Sequence, residues 1–146
     1  MSLGVYDPAD VLFVFAGIPI SGYADGTFVT AERNNDSFNL NVGSNGDATR
    51  AKSNDKSGVV TFTLIQSSAS NAALSAILAI DENTPSGDGI GPILIKDGQG
   101  DTLIAAETAW LRKPANVTYA REAETREWVL ETDNLQMFVG GSNVAG

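Results

Sequence analysis

The chain has 146 residues, enough for one domain with one sizeable core and too few for two. With 42% hydrophobic residues and 15 glycines, the composition is globular and rich in turns, which favours strands over long helices. The net charge of −9 argues against tight nucleic-acid binding, and the lack of cysteine and histidine excludes disulfides, thiolate metal sites and histidine chemistry.

The first predicted strands lie near the N-terminus. Residues 11–15 (VLFVF) form a β-branched and aromatic run, which predicts a buried strand. Pro19 places residues 18–21 at a sheet edge or a bend. An Asp-Gly pair at residues 25–26 signals a tight turn before residues 27–30 (TFVT), which predict another strand.

Two later segments alternate strictly between apolar and polar residues, and each predicts a strand with one buried and one polar face. They are residues 37–42 (SFNLNV) and 59–65 (VVTFTLI). The side chains expected in the core are Phe38, Leu40, Val42, Val60, Phe62 and Leu64. The side chains on the opposite faces are Ser37, Asn39, Asn41, Thr61 and Thr63.

A long polar connector separates these two strands. Residues 43–58 (GSNGDATRAKSNDKSG) carry almost no apolar side chain. A structureless insert of this length in a compact domain is usually functional or disordered. Its charged residues alternate in sign, which suits a salt-sensitive contact with another protein surface.

The one predicted helix covers residues 70–80 (SNAALSAILAI). It is rich in alanine, and Ser70 or Asn71 can cap its N-terminus. The apolar side chains expected on its packed side are Ala73, Ile77 and Ile80.

The remaining elements are a hairpin and a further strand. The sequence predicts a hairpin with a DGQG turn at residues 97–100, and its two arms are residues 93–96 and 102–113. Residues 126–132 (REWVLET) predict another strand, and residues 140–146 predict a loose tail. We expect residues 1–146 to form a single domain.

The side chains in this sequence that could support catalysis are paired carboxylates. Glu127 and Glu131 share one side of a predicted strand, and Asp97 and Asp101 flank a turn. Acidic chains offer such pairs on solvated surfaces, so we interpret them as surface residues and turn formers. We therefore predict no catalytic residue, no metal site and no bound cofactor.

Trp110 and Trp128 leave a binding module open as an alternative. Two aromatic rings on strands can form a platform that stacks on sugars, although aromatic residues on strands more often pack in the core. The alternative hypothesis is thus a monomeric β-sandwich that binds carbohydrate through these two residues.

The order and spacing of the segments resemble the tail tube proteins of myophages, over nearly the whole chain. No single motif carries the resemblance. The segments that do so together are residues 22–30 (GYADGTFVT), 43–56, 56–80, 92–100 (PILIKDGQG), 109–113 (AWLRK), 127–129 and 140–141.

The resemblance implies a mostly β fold, either a β-sandwich or a partly open barrel, with one flanking helix. It implies a structural protein rather than an enzyme, which assembles with itself into hexameric rings stacked as a tube. The partners it implies are the tail sheath, baseplate and tail terminator proteins, with DNA passing transiently through the channel. The tube of a contractile bacteriocin or of a type VI secretion system remains an alternative.

The same resemblance implies where the protein is found. The subunit belongs in the virion, as part of the phage tail, after assembly in the host cytoplasm. The first ten residues lack the basic segment of a secretory signal, and the apolar run after them is too short to span a bilayer. We therefore expect no membrane insertion of the subunit.

In such a tube, two sets of residues acquire roles. The polar strand faces line the lumen, where a neutral or acidic wall lets DNA pass and a basic one would hold it. These lumen-facing residues are Ser37, Asn39, Asn41, Thr61 and Thr63. The connector makes the contact between rings, through Asp47, Arg50, Lys52, Asp55 and Lys56.

Overall fold

The computed structural model describes residues 8–26, 28–98 and 100–141. These residues form ten strands, one α-helix and a short 3-10 turn at Pro8–Asp10. In chain order the elements are β1 Val11–Phe15, β2 Ile18–Pro19, β3 Val29–Arg33, β4 Phe38–Val42, β5 Ala48–Lys52, β6 Gly58–Ile65, α1 Ser70–Asn83, β7 Gly91–Asp97, β8 Leu103–Leu111, β9 Thr125–Thr132 and β10 Gln136–Phe138.

Eight of the strands form one antiparallel sheet in the order β2-β1-β7-β8-β9-β6-β3, with β10 also paired to β8. Strand β8 joins two parts of this sheet. Leu103 and Ala105, near its start, pair with β10, whereas Ala109 and Leu111, near its end, pair with β9. The sheet therefore changes partners along β8.

The sheet folds over on itself around one core. Phe13 on β1 and Phe62 on β6 meet edge to face, with ring centroids 4.9 Å apart. Three strands separate β1 from β6 along the sheet, and a flat sheet would hold them about 19 Å apart. Their contact requires the two ends of the sheet to face each other. The predicted mostly β fold with one helix is confirmed, and the sheet stays open instead of closing into a barrel.

Several predicted elements are confirmed. Strand β1 has the predicted bounds, and the alternation in β6 places Val60, Phe62 and Leu64 in the core. The predicted hairpin is formed by β7 and β8, and β9 is the predicted strand near residues 126–132. Strand β3 begins at Val29, later than predicted, and Thr27 lies outside the described residues.

The helix is present, but its ends and its packed side differ from the prediction. It runs to Asn83, and its cap position is Ala69, without a side-chain cap. The Ser68 hydroxyl instead accepts a hydrogen bond from the Ser70 amide. The buried side chains are Ser70, Leu74 and Leu78. Of the predicted residues, Ile77 is partly buried against the core, whereas Ile80 is 51% exposed. The sheet covers the side of the helix on which the three buried residues lie, spaced four apart. Because the helix carries apolar residues on several sides, its sequence does not indicate which side the sheet covers.

Residues 43–58 are partly structured rather than a plain connector. Strand β5 lies within them and pairs with β4 as a separate two-stranded sheet. The turn between the two strands is closed by a hydrogen bond from the Gly43 amide to the Asp47 carbonyl oxygen. The predicted strand at residues 37–42 is therefore one arm of an extended hairpin.

The predicted burial of Phe38, Leu40 and Val42 is wrong. All three are exposed, and Leu40 is 69% exposed. The alternation correctly identifies a strand with two unlike faces, but β4 pairs only with β5 among the described strands. No other element of the described chain covers its apolar face.

The chain is still packed where the predicted loose tail begins. The Gly140 amide donates a hydrogen bond to the Thr102 hydroxyl, and a Cβ at this position would lie 2.4 Å from that of Asp101. Glycine is needed for this close approach. Residues 142–146 lie outside the described residues.

Candidate assembly surfaces

The β4–β5 hairpin carries a surface that is both apolar and cationic. Cross-strand pairs place Phe38 opposite Lys52 and Leu40 opposite Arg50, and directly paired residues project from the same face. The Arg50 guanidinium carbon lies 4.2 Å from the centre of the Phe38 ring. We call this surface the hairpin face; it consists of Phe38, Leu40, Val42, Arg50 and Lys52.

A two-stranded hairpin is at best marginally stable by itself in water. The hairpin face is therefore a candidate docking surface, and a surface with apolar and acidic groups would complement it.

The root of the hairpin is firmly attached to the main sheet. The Leu135 amide donates to the Lys56 carbonyl oxygen at 2.8 Å. A Cβ on Gly58 would lie 2.7 Å from the Glu32 carbonyl oxygen and 2.6 Å from the Leu135 side chain, so only glycine fits. Arg33 Nε also donates to the Leu135 carbonyl oxygen. The hairpin thus projects from a rigid base.

The five residues predicted to contact the next ring occupy three places along the hairpin. Asp47 is in its turn, where the Asn45 side chain donates to it. Arg50 and Lys52 lie on the hairpin face. Asp55 and Lys56 are at the root. The structure therefore brings together only Arg50 and Lys52.

Asp55 has a local structural role. The Ser57 hydroxyl and then the Ser57 amide lower the pKa of Asp55 by hydrogen bonding to its carboxylate. The Asn35 side chain donates to the same carboxylate at 2.6 Å. These bonds close the root of the hairpin, which is a sufficient reason for an acidic residue at this position.

A second surface lies on the outer face of strands β3, β6 and β9. Thr61 lies between Thr30 of β3 and Val129 of β9, and Thr63 lies beside Glu127. Because Val60, Phe62 and Leu64 point into the core, Thr61 and Thr63 point away from it.

This outer face is acidic. Its carboxylates are Glu32, Glu127 and Glu131, and Arg112 at its border forms an ion pair with Glu131. We call it the acidic sheet face; its polar residues are Thr30, Glu32, Thr61, Thr63, Glu127 and Glu131.

The predicted lumen residues fall on two different sheets. Thr61 and Thr63 belong to the acidic sheet face, whereas Ser37, Asn39 and Asn41 lie on or beside β4, opposite the hairpin face. Strands β4 and β6 do not pair. All five side chains are exposed or partly exposed. That they line a channel stays a prediction.

Two edges of the main sheet are largely bare among the described residues. Strand β3 pairs there with β6 alone, and at the other edge β2 covers Val14 and Phe15 of β1, while the Ile20 amide donates to the Phe13 carbonyl oxygen. Unpaired edges are ready-made sites for pairing with another chain. They provide a third kind of association surface.

The alternative sites find no support. Trp128 is buried and donates from Nε1 to the Asn71 side chain, whereas Trp110 pairs with Glu131 on the opposite face of the sheet. The two rings therefore cannot form one sugar-binding platform, and the core role of Trp128 is confirmed. Glu127 and Glu131 share an outward face, as predicted.

No group of three potential ligands among residues 8–26, 28–98 and 100–141 could hold a metal ion. The described residues also contain no helix long and apolar enough to cross a membrane.

One functional candidate was missed from the sequence. Arg126 lies on the core-facing side of β9, together with Trp128 and Leu130. The two-residue spacing from Trp128 to Arg126 is the signal that could have revealed it, because side chains two apart on a strand share a face.

The fold is that of subunits from contractile injection systems. Over 92% of this chain it matches a sheath/tube terminator of an extracellular contractile injection system (TM-score 0.59, 9% identity, 97% of that chain). It also matches a sheath–tube complex of such a system (TM-score 0.57, 11% identity, 92% of this chain and 91% of that one). A third match is the tube-terminating cap of the anti-feeding prophage (TM-score 0.55, 11% identity, 92% and 91%).

The chain belongs to the Bacteriophage PhiTE tail tube protein family, whose sequence model matches residues 17–140. It is also 28% identical over 123 residues to structural protein ORF10 of Pseudomonas phage KPP10, covering 84% of this chain and 71% of that protein. The predicted family is thereby confirmed. It is a family of structural phage proteins.

Proposed function

We propose that this protein is the tail tube subunit of a contractile-tailed phage, which forms stacked hexameric rings around a channel for DNA. The observation that carries the proposal is the hairpin face, an apolar and cationic surface held away from the domain and covered by nothing in the described chain. In a tail tube family member, a neighbouring subunit is the natural cover.

Contacts within a ring would use the bare edges. Strand β3 of one subunit would pair with the β1 edge of the next, so that the open sheets join into one continuous barrel. Closing the sheet in this way satisfies the free backbone groups of both edges. It also explains why a single subunit has an open sheet.

Contacts between rings would use the hairpin. Its face would lie on an apolar and acidic surface of the next ring, and a chain with a net charge of −9 offers many acidic surfaces to Arg50 and Lys52. The rigid root at Gly58 and Leu135 would fix the direction in which the hairpin points.

The acidic sheet face would line the channel. Thr30, Thr61 and Thr63 offer hydroxyl groups, while Glu32 and Glu127 repel phosphate, so DNA would not be held by counterion release. In this arrangement the protein performs no catalysis and needs no cofactor. Its partners would be the tail sheath, baseplate and terminator, in the virion after assembly in the host cytoplasm.

A second candidate is the tube of a contractile injection particle that carries no genome. Two of the solved structures with this fold come from an extracellular contractile injection system. The phage assignment is favoured by the family match and by the phage relative.

Negative-stain microscopy and sedimentation of the concentrated protein, with and without purified baseplate, test the proposal. We expect rings or tubes, and baseplate is included because it can nucleate polymerisation. Only monomer at every concentration, with baseplate present, would contradict self-assembly.

A further inference from the structure

A cleft of about 320 Å³ opens beside the first two turns of α1. One wall is formed by Asn71 and Ser75 of the helix, and the other by Val117 and Tyr119 of the irregular segment after β8. Trp128 and Arg126 also line it, and we call it the Arg126 cleft.

Arg126 is a buried cation with no carboxylate partner among the described residues. Only 7% of the surface of Arg126 is exposed. Its Nη1 donates to the Thr125 carbonyl oxygen, and its guanidinium carbon lies 5.7 Å from the centre of the Tyr119 ring. The pair formed by Arg112 and Glu131 is the only ion pair in the described part of the chain.

Three other polar groups of the cleft are already hydrogen-bonded within the chain. Trp128 Nε1 donates to Asn71 Oδ1, and Asn71 Nδ2 donates to the carbonyl oxygens of Ile65 and Gln66. Gln66 Oε1 accepts from the Glu124 amide. These bonds hold the walls in place, and the guanidinium group is the one cation among the described residues that line the cleft, with a single hydrogen bond of its own. Because an isolated buried charge is costly, an arriving carboxylate is favoured.

The rim of the cleft indicates a protein ligand rather than a free ion. Val117 is exposed and Tyr119 is 80% exposed. A ligand that covers these side chains while reaching Arg126 must present an apolar group beside its carboxylate.

The chain itself carries such a segment at the other end of α1. Residues 80–90 contain Asp81, Glu82 and Asp88, together with exposed Ile80 and Ile90. We call them the acidic segment. The last turn of α1 has no basic residue, and the negative end of the helix dipole makes carboxylates unfavourable there. A cation from another molecule would relieve this repulsion.

We propose that the acidic segment of one copy docks in the Arg126 cleft of the next, with a carboxylate on the guanidinium group. Helix α1 has 14 residues and is about 21 Å long, so its two ends cannot meet within one chain. The contact joins two different surfaces, and repeated head to tail it closes into a ring if the rotation fits. It rests on the proposed self-assembly and specifies one contact within it.

Cysteine cross-linking tests this contact directly, because the chain contains no cysteine. A chain with both Glu82→Cys and Val117→Cys should, once assembled and oxidised, form disulfides between neighbouring copies. Non-reducing gel electrophoresis should then show a ladder of covalently linked oligomers. Either single variant should stay uncross-linked. The matched control replaces Val117→Cys by Val139→Cys, also exposed, and should give no ladder.

Charge variants provide the second arm. Glu82→Lys with Asp88→Lys should raise the concentration needed for assembly roughly tenfold or more, since opposed charges at an interface now repel. Asp25→Lys with Glu107→Lys makes the same change in net charge elsewhere and should leave assembly unchanged. Arg126→Leu should weaken assembly similarly while keeping the monomer folded.

The outcomes separate the two proposals. Normal rings or tubes that give no covalent ladder with the double-cysteine variant, or that are unaffected by the Glu82 and Asp88 reversal, would overturn the docking contact and leave the tube function standing. Absence of any assembly by the unmodified protein, with baseplate present, would contradict both.

Discussion

Arg50 lies over the ring of Phe38, with its guanidinium carbon 4.2 Å from the ring centre, on a hairpin that pairs with no other strand of the described chain. In the proposed tube this pair belongs to an association surface, and an exposed pair of this kind adds little to the stability of the monomer. The strength of assembly and the stability of the subunit should therefore respond to different residues.

Charge reversal on the hairpin face should block assembly without unfolding the subunit. Arg50→Glu with Lys52→Glu places two negative charges where an acidic neighbour is expected to dock. Sedimentation should show monomers, and thermal melting should stay close to that of the unmodified protein because both residues are exposed. Lys96→Glu, a charge reversal at an exposed residue of β7 outside both proposed contacts, is the control, and it should assemble. Normal tubes from the hairpin variant would show that this face is not the contact.

Truncating a core side chain should lower the stability of the subunit, whereas truncating a hairpin side chain should weaken its assembly. Phe62→Ala removes a fully buried ring that packs against Phe13, and should lower the free energy of unfolding by ~3–5 kcal/mol. Leu40→Ala removes an exposed side chain and should change it by less than ~0.5 kcal/mol, while weakening assembly. Denaturant titration and sedimentation measure the two effects. Equal destabilisation by both substitutions would mean that the hairpin packs on its own domain.

A cationic belt in the channel should slow the passage of DNA. Thr61→Lys leaves the core untouched, but a ring repeats the added charge around the channel, where it attracts phosphate. Phages assembled from this variant should eject DNA slowly or incompletely, and higher salt should relieve the defect. Thr61→Gln, which adds bulk without charge, should eject normally. Normal ejection from the Thr61→Lys virion at low salt would remove Thr61 from the channel wall.

Alkaline pH should destabilise the subunit through Tyr23. Burial raises the pKa of Tyr23 to about 12 from its ordinary value of 10.0, and its hydroxyl donates to the Ile20 carbonyl oxygen. Between these two values the unfolded chain has lost the proton and the folded chain keeps it, so the free energy of unfolding falls as pH rises. Below pH 10 this contribution is fully present.

Denaturant titrations across pH 9 to 12 would measure this effect. Tyr23→Phe should reduce the slope, and Tyr119→Phe, at an exposed tyrosine, should leave it unchanged. An identical slope in all three proteins would exclude Tyr23 as the cause.

The sequence predicted the elements that depend on local pattern. The alternation in β6 correctly buries Phe62, because the pattern and the covering layer belong to the same domain. The same alternation in β4 fails for Phe38, since the pattern reports two unlike faces and not what covers them. The packed side of α1 was predicted only in part, at Ile77 and not at Ile80, for a similar reason.

The acidic sheet face and the Arg126 cleft depend on strand pairing across long sequence distances. Glu32 reaches Thr61 only through the pairing of β3 with β6. In the Arg126 cleft, Asn71 of α1 accepts a hydrogen bond from Trp128 of β9, 57 residues further along the chain. Neither relationship has a local sequence signal, apart from the spacing that puts Arg126 and Trp128 on one face.

Helical reconstruction of the assembled protein by electron microscopy tests the central claim most directly. We predict stacked rings of six subunits, with the hairpin face of each subunit resting on the next ring and Thr61 facing the channel. A reconstruction in which Phe38 and Leu40 contact no neighbouring ring, or in which the acidic sheet face lies on the outer wall, would contradict the account.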